Sequence, residues 1–181
     1  PAEAEALAVA RDIALAELTG ARLHFRQVTT RAALALVRAA RARGVAVSAG
    51  VTPAHFMLSD VAIGDFRTFT RLSPPLRSEA DRRAVLEALA DGTIEVVSSG
   101  HDPRGPEDKR LPFADAEPGM AGAETLLALT LGLVRDRVID LTRAFEVLAA
   151  NPARLLGVSA GRLEPGAEAD IAIVDPDSLE L

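Results

Sequence analysis

The sequence predicts an α/β fold built on a parallel sheet. Three observations carry this. Segments with helical spacing of apolar residues alternate with short β-branched runs, the pattern of βαβ units. Each of those runs stops abruptly at small or polar residues, as strands do where they deliver side chains to a site. Apolar residues make up 49% and charged residues 25% of 181 positions, the composition of a chain that buries a core.

Residues 2–18 are rich in Ala, Leu and Glu at helical spacing, and Thr19-Gly20 stops that helix. Residues 22–28 (RLHFRQV) alternate and end in Thr29-Thr30, which reads as a strand followed by a helix N-cap. Residues 31–43 form a second amphipathic helix closed by Gly44, and residues 45–51 (VAVSAGV) a buried strand broken by Thr52-Pro53. Residues 59–73 are polar and aromatic, an excursion over a barrel mouth whose aromatic side chains plug gaps, stiffened by Pro74-Pro75. A third helix opens at Ser78 and runs through Leu89, and residues 93–99 are the next strand. Residues 100–118 are too polar and Pro-rich for a strand or helix; loops of that length are functional or mobile. Helices follow over 122–134 and 141–150, then a short turn from Asn151-Pro152, then the alternating strand 170–175. Three βα strands do not close an eight-stranded barrel, which takes roughly 250 residues. Either the other strands belong to another segment or the sheet is small and open.

Composition also bounds partners. A formal charge of −6 and 3% aromatic residues, with neither Trp nor Tyr, disfavour nucleic-acid binding. The absence of Cys removes disulfides and thiolate metal sites and fits a reducing, cytoplasmic setting. No apolar run is long enough for a membrane span. The chain opens at Pro1 inside a helical pattern, so it is read as a piece of a longer polypeptide.

The segment Val97-Ser98-Ser99-Gly100-His101-Asp102-Pro103-Arg104 marks the candidate active-site edge. His101 and Asp102 are its candidate catalytic groups. Asp102 lies two positions beyond Gly100, on the same strand side under ideal alternation, but past the point where the strand should end; a helix cap or loop contact is the bland reading. His24 reads as structural, and His55 as a cap or packing group at the start of a short helix. Arg104, Lys109 and Arg110 form a basic loop, either solvated or a clamp for an anionic group, since Arg suits bidentate carboxylate contacts.

Taken together, these turns resemble the dihydroorotase branch of the amidohydrolase superfamily. The carriers are Gln27-Val28-Thr29-Thr30, Val51-Thr52-Pro53-Ala54-His55, Ser73-Pro74-Pro75-Leu76-Arg77-Ser78, Gly100-His101-Asp102-Pro103-Arg104 with Glu107-Asp108-Lys109 and Pro112-Phe113, Gly119 through Thr125, Asn151-Pro152-Ala153, Gly161-Arg162-Leu163 and Ala169-Asp170. The resemblance implies the carboxyl-terminal portion of a (β/α)₈ barrel: strands six to eight over residues 1–158, and the closing segment of a flanking β-subdomain over 159–181. It implies zinc held mostly by an amino-terminal half outside this chain. It implies a homo-oligomer acting on a cyclic amide or a carbamoyl amino acid in pyrimidine synthesis. In that chemistry a metal-bound hydroxide attacks the amide carbonyl and an Asp passes the proton to the leaving nitrogen. Substrate contacts are implied at Ser73, Arg104, Pro118 and Gly119.

Four functional positions depart from the pattern. The strand-six metal ligand, a His in the family, is Gln27, a poorer partner for a transition metal. The strand-eight Asp is Gly100, which neither ligates nor moves protons. The loop Asn is Ser73, and the second loop His is Arg104. No metal ligand is therefore expected from this chain. Two further readings follow: a non-catalytic dihydroorotase-like scaffold for aspartate transcarbamoylase, and a hydantoinase or allantoinase relative.

Overall fold

The computed structural model describes residues 1–176. Three parallel strands form one sheet in the order β1-β2-β3: Leu23–Phe25, Val47–Val51 and Val96–Val97. His24 pairs with Ser48, and Val51 with Val97.

Three helices bury apolar residues in a common core. Helix α1 (Ala2–Thr19) buries Val9, Ile13 and Ala16. Helix α2 (Arg31–Ala42) starts where the Thr30 hydroxyl accepts the Ala33 N–H, and buries Ala33, Leu34, Val37 and Ala40 at three- and four-residue spacing. Helix α4 (Glu79–Ala90) is capped by Ser78 in the same way and buries Ala84, Val85, Ala88 and Leu89. These faces meet Val28, Val51, Phe56, Ile94 and Val147 in one apolar core. Each large side chain buried there contributes about 1.5–3 kcal/mol of transfer free energy.

Between β2 and α4 lie the short helix α3 (Pro53–Met57) and two 3₁₀ turns, Asp60–Ile63 and Thr68–Thr70. After β3 come the one-turn helix α5 (Pro106–Lys109), α6 (Leu126–Arg135) and α7 (Leu141–Phe145). A π-turn, Glu146–Ala150, runs from α7 into α8 (Asn151–Leu156). The Asn151 amide donates to the Glu95 carbonyl (2.9 Å) and pins this last helix to the sheet.

The parallel α/β architecture is as the sequence predicts, with several corrections. β1 and β3 are shorter than residues 22–28 and 93–99. Residues 100–118 are not wholly irregular, because Pro106 sits in the first turn of α5, where its missing N–H costs nothing. Helix α6 begins at Leu126 rather than at 122. Residues 170–175 are not in a strand: alternation marks a surface, but a strand also needs ladder hydrogen bonds to a neighbour. Phe66 and Phe69 plug no gap; they are 72% and 64% exposed. The end of the closing segment, residues 177–181, lies outside the described residues.

Candidate functional site

The carboxyl ends of all three strands open into one cavity of about 660 Å³. Its lining brings together Gln27 from beyond β1, Thr52 and His55 from beyond β2, and Ser98, Ser99, Gly100, His101 and Asp102 from beyond β3. Ser73, Pro118 and Gly119 complete the wall. Gln27 and Gly100 therefore share one pocket at the strand rim.

His55 is buried, and its ring is fully committed. Nε2 lies 3.0 Å from the Pro74 carbonyl, which only accepts, so Nε2 carries the proton; the Thr52 hydroxyl then donates to Nδ1 at 2.7 Å. Burial pushes the His55 pKa below its ordinary value, against the pull of the Pro74 carbonyl. This histidine holds the β2–α3 corner to the Ser73-Pro74 turn, which contains a cis peptide bond.

His101 is tied down as well. The backbone N–H groups of Gly122 and Ala123 both donate to its Nδ1, at 3.2 and 3.1 Å. That leaves Nε2 as the proton-bearing nitrogen. The Asp102 N–H donates to the Met120 carbonyl (2.9 Å), so segment 120–123 is laced to the end of β3. The Asp102 carboxylate, 55% exposed, pairs with Arg104 at 2.8 Å, and Arg104 Nε donates to the Pro118 carbonyl. Asp102 thus makes a loop contact.

The basic loop does not assemble as an anion clamp. Arg104 is held by Asp102, Arg110 pairs with Glu107, and Lys109 is buried and donates to the Thr68, Arg71 and Glu117 carbonyls. Arg104 and Arg110 organise their own loop, and Lys109 also ties that loop to residues 68 and 71.

Gly100 has φ +61°, a region L side chains rarely adopt, and a Cβ there would lie 2.7 Å from Thr52 Cγ2. The backbone conformation and the Thr52 contact at this position both suit glycine. Zinc, implied by the resemblance, does not fit the residues this chain supplies. Gln27 offers a neutral amide, Gly100 offers nothing, and among the described residues no three His, Asp or Glu side chains are grouped to hold a metal.

Three participants have roles here that the sequence did not indicate. Arg26 lines the cavity and makes no hydrogen bond or ion pair among the described residues. Thr52 buttresses both His55 and Gly100, and Lys109 fastens the loops above. His24, predicted as structural, bonds Ser48 at 2.8 Å on the sheet, and burial lowers its pKa. A second cavity of about 680 Å³ lies at the amino ends of the strands, lined by His24, Arg41 and Glu95 among others. Among the described residues no helix is long and apolar enough to cross a membrane.

Comparison with known proteins agrees with this architecture. The amidohydrolase family model matches residues 6–180. A dihydroorotase of Pelotomaculum thermopropionicum is 48% identical over 181 residues, covering 99% of this chain and 42% of that protein. A dihydroorotase of Anaeromyxobacter dehalogenans is 44% identical over 177 residues, covering 97% of this chain and 41% of that protein. Among solved structures, the dihydropyrimidinase from Brevibacillus agri superposes with a TM-score of 0.88 at 28% identity, covering 93% of this chain and 39% of that one. The L-hydantoinase from Arthrobacter aurescens superposes with a TM-score of 0.88 at 27% identity, covering 93% of this chain and 39% of that one. The chain thus spans about two-fifths of the length of the curated relatives it matches. With a parallel βα portion of a barrel, a pocket at its strand rim and this degree of identity, the chain belongs to the amidohydrolase family, in its dihydroorotase branch.

Proposed function

We propose that this chain is the carboxyl-terminal portion of a dihydroorotase-type cyclic amidohydrolase of pyrimidine biosynthesis. Its mouth pocket takes dihydroorotate or carbamoyl aspartate. The convergence of three strand ends and the Ser73 and Gly119 loops on one cavity carries this reading. Ser73, Pro118 and Gly119 then stand at the substrate's side, Arg104 supports that wall through Asp102 and the Pro118 carbonyl, and His101 or Asp102 handles the proton. Any zinc rests on residues outside this chain, since Gln27 and Gly100 supply no ligand set. Residues 1–158 form the barrel portion and 159–181 the closing segment. The hydantoinase-like reading has less support, because a solved D-hydantoinase is 31% identical where a curated dihydroorotase is 48% identical.

The test is metal analysis and dihydroorotate turnover, in both directions, on the full-length protein. Turnover that falls on His101→Ala or Asp102→Asn substitution supports the proposal. A protein with neither bound zinc nor turnover overturns it.

Gly100 favours a second reading. A backbone built around glycine at the proton-transfer position suits a non-catalytic homologue retained as a scaffold for aspartate transcarbamoylase. Co-purification of the two proteins, with transcarbamoylase activity dependent on this one, supports that reading; an independent, active protein sinks it.

A further inference from the structure

Two loops wall the mouth pocket, residues 59–73 and residues 100–119. Leu72 and Ser73 of the first, and Asp102, Pro118 and Gly119 of the second, line the cavity. We propose that Lys109 is a positioning residue that fastens these loops into one flap, so that the pocket wall opens and closes as a single body.

Lys109 belongs to the second loop yet is only 4% exposed. Its ammonium has three hydrogens and three carbonyl acceptors: Glu117 at 2.7 Å on its own loop, Thr68 at 3.1 Å and Arg71 at 3.5 Å on the other. Thr68 reciprocates, its hydroxyl donating to the Lys109 carbonyl at 2.5 Å. The Arg71 carbonyl also accepts the Gly119 N–H at 3.0 Å. The Phe66 and Phe113 rings meet edge to face across the same seam, with centroids 5.9 Å apart.

A buried ammonium is tolerated only while its hydrogens are matched. Here carbonyls, not carboxylates, match them. Asp102 and Asp108 lie near enough to favour the charge, while Arg104 and Arg71 oppose it. Lifting either loop alone would strip acceptors from a charge still enclosed by the other. Lifting both together carries all three acceptors along with the ammonium and strips none. The cheaper motion is therefore the joint one, whether or not the pocket hydrolyses anything.

Amide hydrogen exchange on the full-length protein tests this, comparing wild type with K109M, K109R and T68V. In K109M, amides of residues 59–73 and of residues 100–119 speed up together, by a common factor of about tenfold or more, the scale of losing charge-assisted bonds. K109R, which keeps the charge and several donors, returns both loops toward wild-type rates. T68V, altered only in the first loop, accelerates the second as well. Acceleration confined to one loop in K109M, or no acceleration, overturns the proposal. Should K109M also unprotect α2 and α4, T68V decides: equal acceleration of both loops upholds the proposal, and a change restricted to residues 59–73 refutes it.

Discussion

Gly100 and Thr52 interlock. A side chain at 100 meets both an unfavourable φ and the Thr52 methyl. Gly100→Ala is expected to cost roughly 1–3 kcal/mol, the scale of holding a non-glycine residue in a sparsely populated region. Thr52→Ser removes the obstructing methyl while keeping the hydroxyl on His55. The double variant should then recover about 0.5 kcal/mol or more relative to additive losses. Denaturant unfolding of the four species closes the cycle, and strict additivity would contradict the interlock. His55 leads to a pH prediction at the same scale. Its folded pKa lies below the ordinary 6.5, as does that of His24. Near that pH the unfolded chain binds protons that the folded chain refuses. The histidine contribution to stability is therefore complete above 6.5 and is lost as the pH falls toward the folded values. Unfolding free energy should drop from about pH 7 to about pH 5, and His55→Gln should flatten the slope. Equal slopes in the two proteins would refute it.

The element scale turns on Glu5. From the first turn of α1 its carboxylate accepts the Thr29 and Thr30 N–H groups (2.8 and 2.9 Å), both threonine hydroxyls, and the Arg77 guanidinium (3.2 Å). One side chain thus joins α1, the entry to α2 and the segment before α4, and places a negative charge at the N-terminus of α2. Glu5 and Arg77 are 11% and 12% exposed. Glu5→Ala should destabilise by about 3–5 kcal/mol, since it strands a buried guanidinium and two amides. Glu17→Ala, which breaks the exposed, solvent-screened pair with Arg43, should cost far less. Chemical unfolding of both variants checks the contrast; similar losses would refute it. Nothing in the sequence marks Glu5, because its partners lie 24 to 72 residues away. Helices α1, α2 and α4 were legible to within a residue or two because amphipathic spacing and caps are local. Strands were legible as buried runs but not in length, since pairing ends where a neighbour ends. The joint placement of Gln27 and Gly100 was legible too, as each follows a strand that must deliver to the same rim. Lys109 was not: a lysine in a polar loop reads as solvated, and only the folded seam shows its carbonyl cage.

For the whole molecule, the sheet has β1 and β3 at its margins, and residues 170–174 alternate like a strand without being in one. Ile171 and Ile173 stand 62% and 99% exposed. Such segments invite pairing. In the full-length protein, amides of residues 170–175 are expected to exchange markedly more slowly than in residues 1–181 alone, and the shorter chain to self-associate in sedimentation. Equal exchange rates in both forms would refute this. Chain length itself is constrained at the far end. Loss of any one residue from Glu146–Ala150 would turn the wide π-turn into an ordinary α-helical one and rotate everything beyond it by about 100°. Asn151 would swing off the Glu95 carbonyl, and Ala153 would leave the core. The final helix is timed by one surplus residue, like a gear with an added tooth. Descendants of this chain can exchange its exposed residues, with Val147 kept apolar for the core, but they cannot shed one without disengaging the helix from the sheet.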